Sequence, residues 1–193
     1  MATAPAPYWP IVYVRGYAMT SAEIADAVSS PYMGFNVGAT KLRQAWDGQV
    51  RRHVFESPLV RLMKDCGYRD IYTDGTEIVG PVPARSVVIY RYYDSADPDL
   101  GAGKAPSIVA AAEGLRDLVH RLRVQVCGDD AEALAGFKVH LVAHSMGGLV
   151  CRCFLQNDAV STPADRALVD KVFTYATPHN GIELGGINVP NFL

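Results

Sequence analysis

Apolar residues along this chain fall alternately into short runs and longer stripes. Ile11-Val12-Tyr13-Val14 is an apolar run that ends at Arg15-Gly16-Tyr17, and Ser86-Val87-Val88-Ile89-Tyr90 is a second. Val139-His140-Leu141-Val142 and Val172-Phe173-Thr174-Tyr175-Ala176 are a third and a fourth. Short runs rich in β-branched and aromatic residues and bounded by turn residues predict buried strands. Between them the period lengthens to that of a helix. Thr20 and Glu23 form a capping box ahead of Ile24-Ala25-Asp26-Ala27-Val28. Ser57-Pro58 opens a helix through Leu59, Leu62 and Met63 that stops near Gly67. Pro106 starts a long helix with Ala111, Ala112, Leu115, Leu118, Val119 and Leu122 on one face, and Thr162-Pro163 caps another. Strands alternating with crossover helices predict an α/β fold, a mostly parallel sheet with helices on both faces. Function is then expected at the carboxyl ends of the strands.

One stretch departs from the alternation. Residues Ser29 to Glu56 (29–56) lack clean periodicity and read equally as an irregular surface loop or as a lid or specificity insertion above the site. The chain has 193 residues, 49% of them hydrophobic, which suits one sizeable core and a single domain over 1–193. A net charge of −2 gives no electrostatic reason to expect nucleic acid or an anionic membrane surface as a partner. Met1-Ala2-Thr3-Ala4-Pro5-Ala6-Pro7 lacks the basic and apolar regions of a signal peptide, and no apolar run approaches a membrane span. Cys66, Cys127, Cys151 and Cys153 have no metal-ligand spacing and are expected as free thiols in a reducing compartment, hence a cytoplasmic location. No metal and no cofactor is expected. Gly101-Ala102-Gly103-Lys104-Ala105 resembles a phosphate loop only in part, because Pro98 and Ala105 occupy its glycine and hydroxyl positions.

The most informative junction is Ala143-His144-Ser145-Met146-Gly147-Gly148, which follows the third apolar run directly. Leu149, Val150, Cys153 and Phe154 then recur at helical spacing. A serine on a tight strand-to-helix turn is pushed out at the edge of the sheet, where its hydroxyl can reach a substrate carbonyl. Such a turn is crowded, so the positions two before and two after the serine must be small; here they are Ala143 and Gly147. Gly148 lets the helix lie close to the sheet.

On these residues the chain resembles an α/β-hydrolase of the lipase/esterase kind. Val12-Tyr13-Val14-Arg15-Gly16-Tyr17, Ala143-His144-Ser145-Met146-Gly147-Gly148 and Ala176-Thr177-Pro178-His179-Asn180-Gly181 occur in the family's order, at the ends of three candidate strands. The family's corresponding segments usually read His-Gly-x, G-H-S-M-G-G and T-P-H-x-G. The resemblance implies an α/β-hydrolase core in which Ser145 attacks an acyl carbonyl to form an acyl-enzyme. It implies an oxyanion hole made by the backbone N–H groups of Met146 and Tyr17. Arg15 replaces the usual histidine, a position that ordinarily helps to hold the loop. His179 is expected as a structural or pocket-lining group.

The triad acid and histidine are not found. In this fold they follow the nucleophile, acid first. Downstream of the last strand the chain offers His179 and then Glu183, the reverse order. His144 adjoins Ser145 and is expected to point away from it, while His140 and His120 are expected to be packed or surface groups. The favoured expectation is a hydrolase core incomplete at its carboxyl end, with the acid and histidine beyond Leu193; the other is a complete but inactive chain. The function implied is hydrolysis of lipid or acyl carboxylic esters. Acyl transfer from the same serine and a non-catalytic binding module stand as alternatives, and the sequence gives no oligomeric state.

Overall fold

Val12, Tyr13 and Val14 are wholly buried because their strand lies at the centre of the sheet and is covered on both faces. The computed structural model describes residues 8–16, 39–44, 47–55, 58–71, 80–99, 101–180, 183–184 and 187–188. Strand β1 (Ile11–Val14) is followed by β2 (Ala39–Gln44), β3 (Val50–Phe55), helix α1 (Pro58–Cys66), β4 (Arg69–Asp70) and β5 (Ser86–Tyr90). A 3-10 turn at Asp94–Ala96 leads to α2 (Ile108–Cys127), α3 (Ala131–Gly136), β6 (Val139–His144) and α4 (Gly147–Gln156). Then come α5 (Pro163–Arg166), β7 (Val169–Tyr175) and the short pair β8 (Glu183–Leu184) and β9 (Ile187–Asn188).

Five strands form one all-parallel sheet in the order β4-β5-β1-β6-β7. Alternate side chains of each strand enter opposite layers. Val12, Val14, Val88, Leu141 and Ala143 pack with α2 and α4 in the larger core, which includes Leu115, Leu122, Val150 and Phe154. Ile11, Tyr13, Val87 and Ile89 pack on the other side with Leu59 of α1 and with Tyr68. Helices on both faces of a parallel sheet are the predicted α/β arrangement. No helix among the described residues is long and apolar enough to cross a membrane.

The strand order places a topological switch between β1 and β6. The next strands of the sheet after β1 lie on one side of it and the next after β6 on the other, the arrangement at which ligands of open α/β sheets ordinarily bind, at the strands' carboxyl ends. Gly16 and Ser145 stand at those two ends.

Several expectations need correction. The long helix begins at Ile108, not Pro106: the Ser107 hydroxyl accepts the Ala110 N–H at 3.1 Å and acts as the cap. Strand β7 begins at Val169, not Val172, because its parallel pairing with β6 carries the polar Asp170 and Lys171 into the sheet at an exposed edge. The helix capped by Thr162 is a single turn, closed by a reciprocal capping box with Asp165. Within 29–56, expected to be irregular, β2 and β3 form an antiparallel hairpin in register from Ala39 opposite Phe55 to Gln44 opposite Val50. Its turn carries Asp47-Gly48, with Gly48 at φ +81° and Asp47 accepting the Gln49 N–H at 3.1 Å. The helix expected after Thr20 lies outside the described residues.

The two-sided core generates a simple test on one helix. Leu115→Ala, at a wholly buried position of α2, is expected to lower unfolding free energy by about 2–5 kcal/mol. Val124→Ala, on the same helix but 61% exposed, is expected to stay within about 0.5 kcal/mol of the parent. Urea midpoints at unchanged slope measure both, and equal losses would contradict this packing.

Candidate functional site

Three segments meet at the carboxyl edge of the sheet: Arg15-Gly16 after β1 and the turns after β6 and β7, the next two strands in the sheet order. Among the described residues, the only non-glycine positions with positive φ are Ser145 at +50° and Ala176 at +52°. They follow β6 and β7 directly, and the Ser145 N–H donates to the Tyr175 carbonyl at 3.0 Å. Left-handed backbone is costly for a residue with a Cβ, and such residues gather where the surroundings over-determine them.

Those surroundings are backbone atoms at very short range. A Cβ on Gly147 would lie 2.1 Å from the Val14 carbonyl oxygen and 2.5 Å from that of Arg15. One on Gly148 would lie 2.1 Å from the Thr177 hydroxyl, and one on Gly16 would lie 2.6 Å from Cβ of Ser145. Thus α4 starts against the end of β1 on one side and the segment after β7 on the other. The small residue expected two after the serine is required by the β1 backbone.

Ser145 itself is partly exposed, and its hydroxyl makes no hydrogen bond among the described residues. Met146 caps α4 and is buried at 7% exposure. N–H groups at a helix start have no intrahelical acceptor, and the helix dipole favours negative charge there. The Met146 N–H therefore has the chemistry of an oxyanion donor. Tyr17, the other expected donor, lies outside the described residues.

His144 lies against the ring of Tyr175 at 4.9 Å, and its Nδ1 is buried without a hydrogen-bond partner among the described residues. That atom would be 3.2 Å from a Cβ on Gly16. Burial holds its pKa below the usual imidazole value. Behind it the Tyr175 hydroxyl meets that of Tyr13 at 2.8 Å. Thr177 Oγ1 is likewise buried without a partner among the described residues.

His179 is exposed and engaged elsewhere. Its Nε2 meets the Thr174 hydroxyl at 3.3 Å, and its carbonyl accepts from Arg152 at 3.2 Å. With Ile108, Leu149, Arg152, Cys153 and Pro178 it lines a cavity of about 660 Å³ whose wall does not include Ser145. His140 Nδ1 is 3.4 Å from Asp170, and His120 meets Asp165 at 2.6 Å on the surface. Neither pairs with Ser145. No cluster of three or more His, Cys, Asp or Glu side chains suited to a metal ion occurs among the described residues.

Arg15, singled out in the sequence only as a replacement at a loop-holding position, is wholly buried one position before Gly16. Its guanidinium is 3.4 Å from Asp94 and 5.6 Å from the Tyr93 ring centre, while its carbonyl accepts the Tyr92 hydroxyl at 2.9 Å. Burial lowers its pKa and Asp94 opposes that shift, but an arginine remains charged in such a setting.

Two predictions come from this geometry. Gly147→Ala meets backbone that cannot rotate away, whereas Gly148→Ala meets a threonine side chain that can. Gly147→Ala is therefore expected to cost about 1–3 kcal/mol and more than Gly148→Ala, as measured by chemical denaturation. His144 and His140 both have pKa values lowered by burial, so the stability they contribute is present above the unfolded value of about 6.5. It is lost as pH falls through the lower folded values. His144→Gln is expected to reduce, and not abolish, the decline in unfolding free energy from pH 7 to pH 5; an unaltered slope would contradict the assignment.

Comparisons with protein-family models and with curated protein sequences find no match to this chain.

Proposed function

We propose that this protein is a serine hydrolase of the lipase/esterase kind, with Ser145 as its nucleophile and a lipid or acyl carboxylic ester as substrate. The observation that carries this reading is the left-handed serine on the turn between β6 and α4, above the switch between β1 and β6. The sheet order, which brings the segments after β1, β6 and β7 side by side, supports it further.

In the reaction, the Ser145 oxygen adds to the ester carbonyl carbon and its proton passes to a base. The resulting oxyanion accepts the Met146 N–H, and one such donor contributes roughly 3 kcal/mol of transition-state stabilisation. Collapse breaks the bond to the leaving alcohol, which takes up a proton, and leaves an acyl-enzyme. Water then adds to the acyl carbon, releasing the acid and restoring the serine hydroxyl. An alcohol in place of water would make the same machinery an acyltransferase.

The described residues place no base on the Ser145 hydroxyl, and this favours one competing reading, a non-catalytic binding module on the same framework. Serine-dependent chemistry separates the two. The full-length protein treated with a fluorophosphonate is expected to gain the mass of one phosphonyl group, located on Ser145 by peptide mapping. Ser145→Ala is expected to gain none. Labelling that survives the substitution would overturn the nucleophile assignment; a folded parent that never labels would overturn it and support the binding module.

A further inference from the structure

A wholly buried arginine needs a reason. Removing a guanidinium from water costs several kcal/mol, and a buried ion pair commonly stabilises no more than apolar side chains of the same volume. Arg15 is the largest of the fully buried side chains among the described residues, and a methionine would fill much of its space without the charge. What the charge provides is direction. Asp94, in the 3-10 turn after β5, lies between Arg15 at 3.4 Å and Arg91 at 2.5 Å. Tyr92, two residues earlier, donates to the Arg15 carbonyl, and its ring packs on Tyr93 with centres 4.3 Å apart. The loop after β5 thus holds Arg15 by both its side chain and its backbone. The next residue is Gly16, whose backbone lies against Cβ of Ser145.

We propose that Arg15 and Asp94 are a positioning pair: their ion pair, buried at its arginine end, acts with the Tyr92 hydroxyl to set the Arg15-Gly16 backbone against the Ser145 turn and so fixes where the serine hydroxyl sits. This rests on the reading of Ser145 as a nucleophile for its catalytic consequence, though not for its structural one. Neither residue touches the reacting atoms. A displacement of about 1 Å at a nucleophile can lower rate by roughly a hundredfold, so a pair that fixes the neighbouring backbone has leverage on rate without contact.

The test uses Arg15→Met, Arg15→Lys and Asp94→Asn in the full-length protein, each confirmed as folded by circular dichroism. Two readouts are taken: the rate of Ser145 phosphonylation and amide hydrogen exchange at residues 144–148. Arg15→Met and Asp94→Asn are expected to slow labelling by about tenfold or more and to speed exchange at 145–148 relative to β5. Arg15→Lys, which keeps the charge and loses the fork, is expected to recover part of the rate. A double variant of Arg15→Met with Asp94→Asn should be slower by less than the product of the two single effects, because the two substitutions share the Arg15–Asp94 ion pair. Parental labelling and parental exchange in folded Arg15→Met would overturn the proposal. If Arg15→Met fails to fold, parental values of both readouts in Asp94→Asn, a substitution at a partly exposed side chain, would overturn it equally. If the parent itself is never labelled, the nucleophile reading falls alone, and unchanged exchange at 145–148 would separately overturn the positioning role.

Discussion

The backbone of β1 approaches the start of α4 so closely that no side chain fits between them, and the carboxyl edge of the sheet is organised around that contact. Val14 and Arg15 present carbonyl oxygens where a Cβ on Gly147 would stand, and Gly16 occupies the corresponding space beside Ser145. Parallel pairing sets the distance: β1 is hydrogen-bonded to β6 along its length, from Ile11 beside His140 to Val14 beside Ala143. A chain leaving β6 into a helix at once must then pass over the end of β1. Glycine at 147 is required by this crossing, and the left-handed turn at Ser145 makes the crossing in a single residue.

Strain at Ser145 and Ala176 is held by order on either side of it. Below the turn, the two cores grip alternate residues of β1 and β6, so neither strand can slide to relieve it. At the end of β5, β1's neighbour, Tyr90 stacks on Tyr92 and Tyr92 tilts against Tyr93, an aromatic series in the segment that holds Arg15. The hydrogen bond from the Ser145 N–H to the Tyr175 carbonyl ties the first turn to the peptide that enters the second, at Ala176. His144 lies beside both, its ring against that of Tyr175 and its Nδ1 facing Gly16.

The parts of the fold legible in the sequence are those where burial writes the pattern. Ser86–Tyr90 and Ile11–Val14 read as apolar runs because both faces of each strand are covered, and the buried face of α2 reads at helical spacing for the same reason. The hairpin from Ala39 to Phe55 did not read, since its strands carry Lys41, Arg43, Arg51 and Arg52 and its register is set by pairing. Its Asp47-Gly48 turn was the available signal. Val169 to Lys171 were missed because an edge strand tolerates polar residues that propensity counts against it. At the site, the serine turn was legible from its small neighbours, which sterics demand at fixed spacing. The burial of Arg15 was not, because a charged residue after a strand usually marks the surface, and its partner Asp94 lies 79 positions away in the chain.

The φ of +50° at Ser145 sets the hydroxyl against the stability of its own turn. Glycine would adopt that conformation freely, and left-handed backbone costs a residue with a side chain on the order of 1–2 kcal/mol. A chain selected for stability alone would drift towards glycine at this position and would relax as it did so. Alanine keeps the strain and removes the oxygen; glycine removes both. The difference in stability between those two replacements, once the greater freedom of glycine in the unfolded chain is subtracted, reports the free energy the fold holds in this turn.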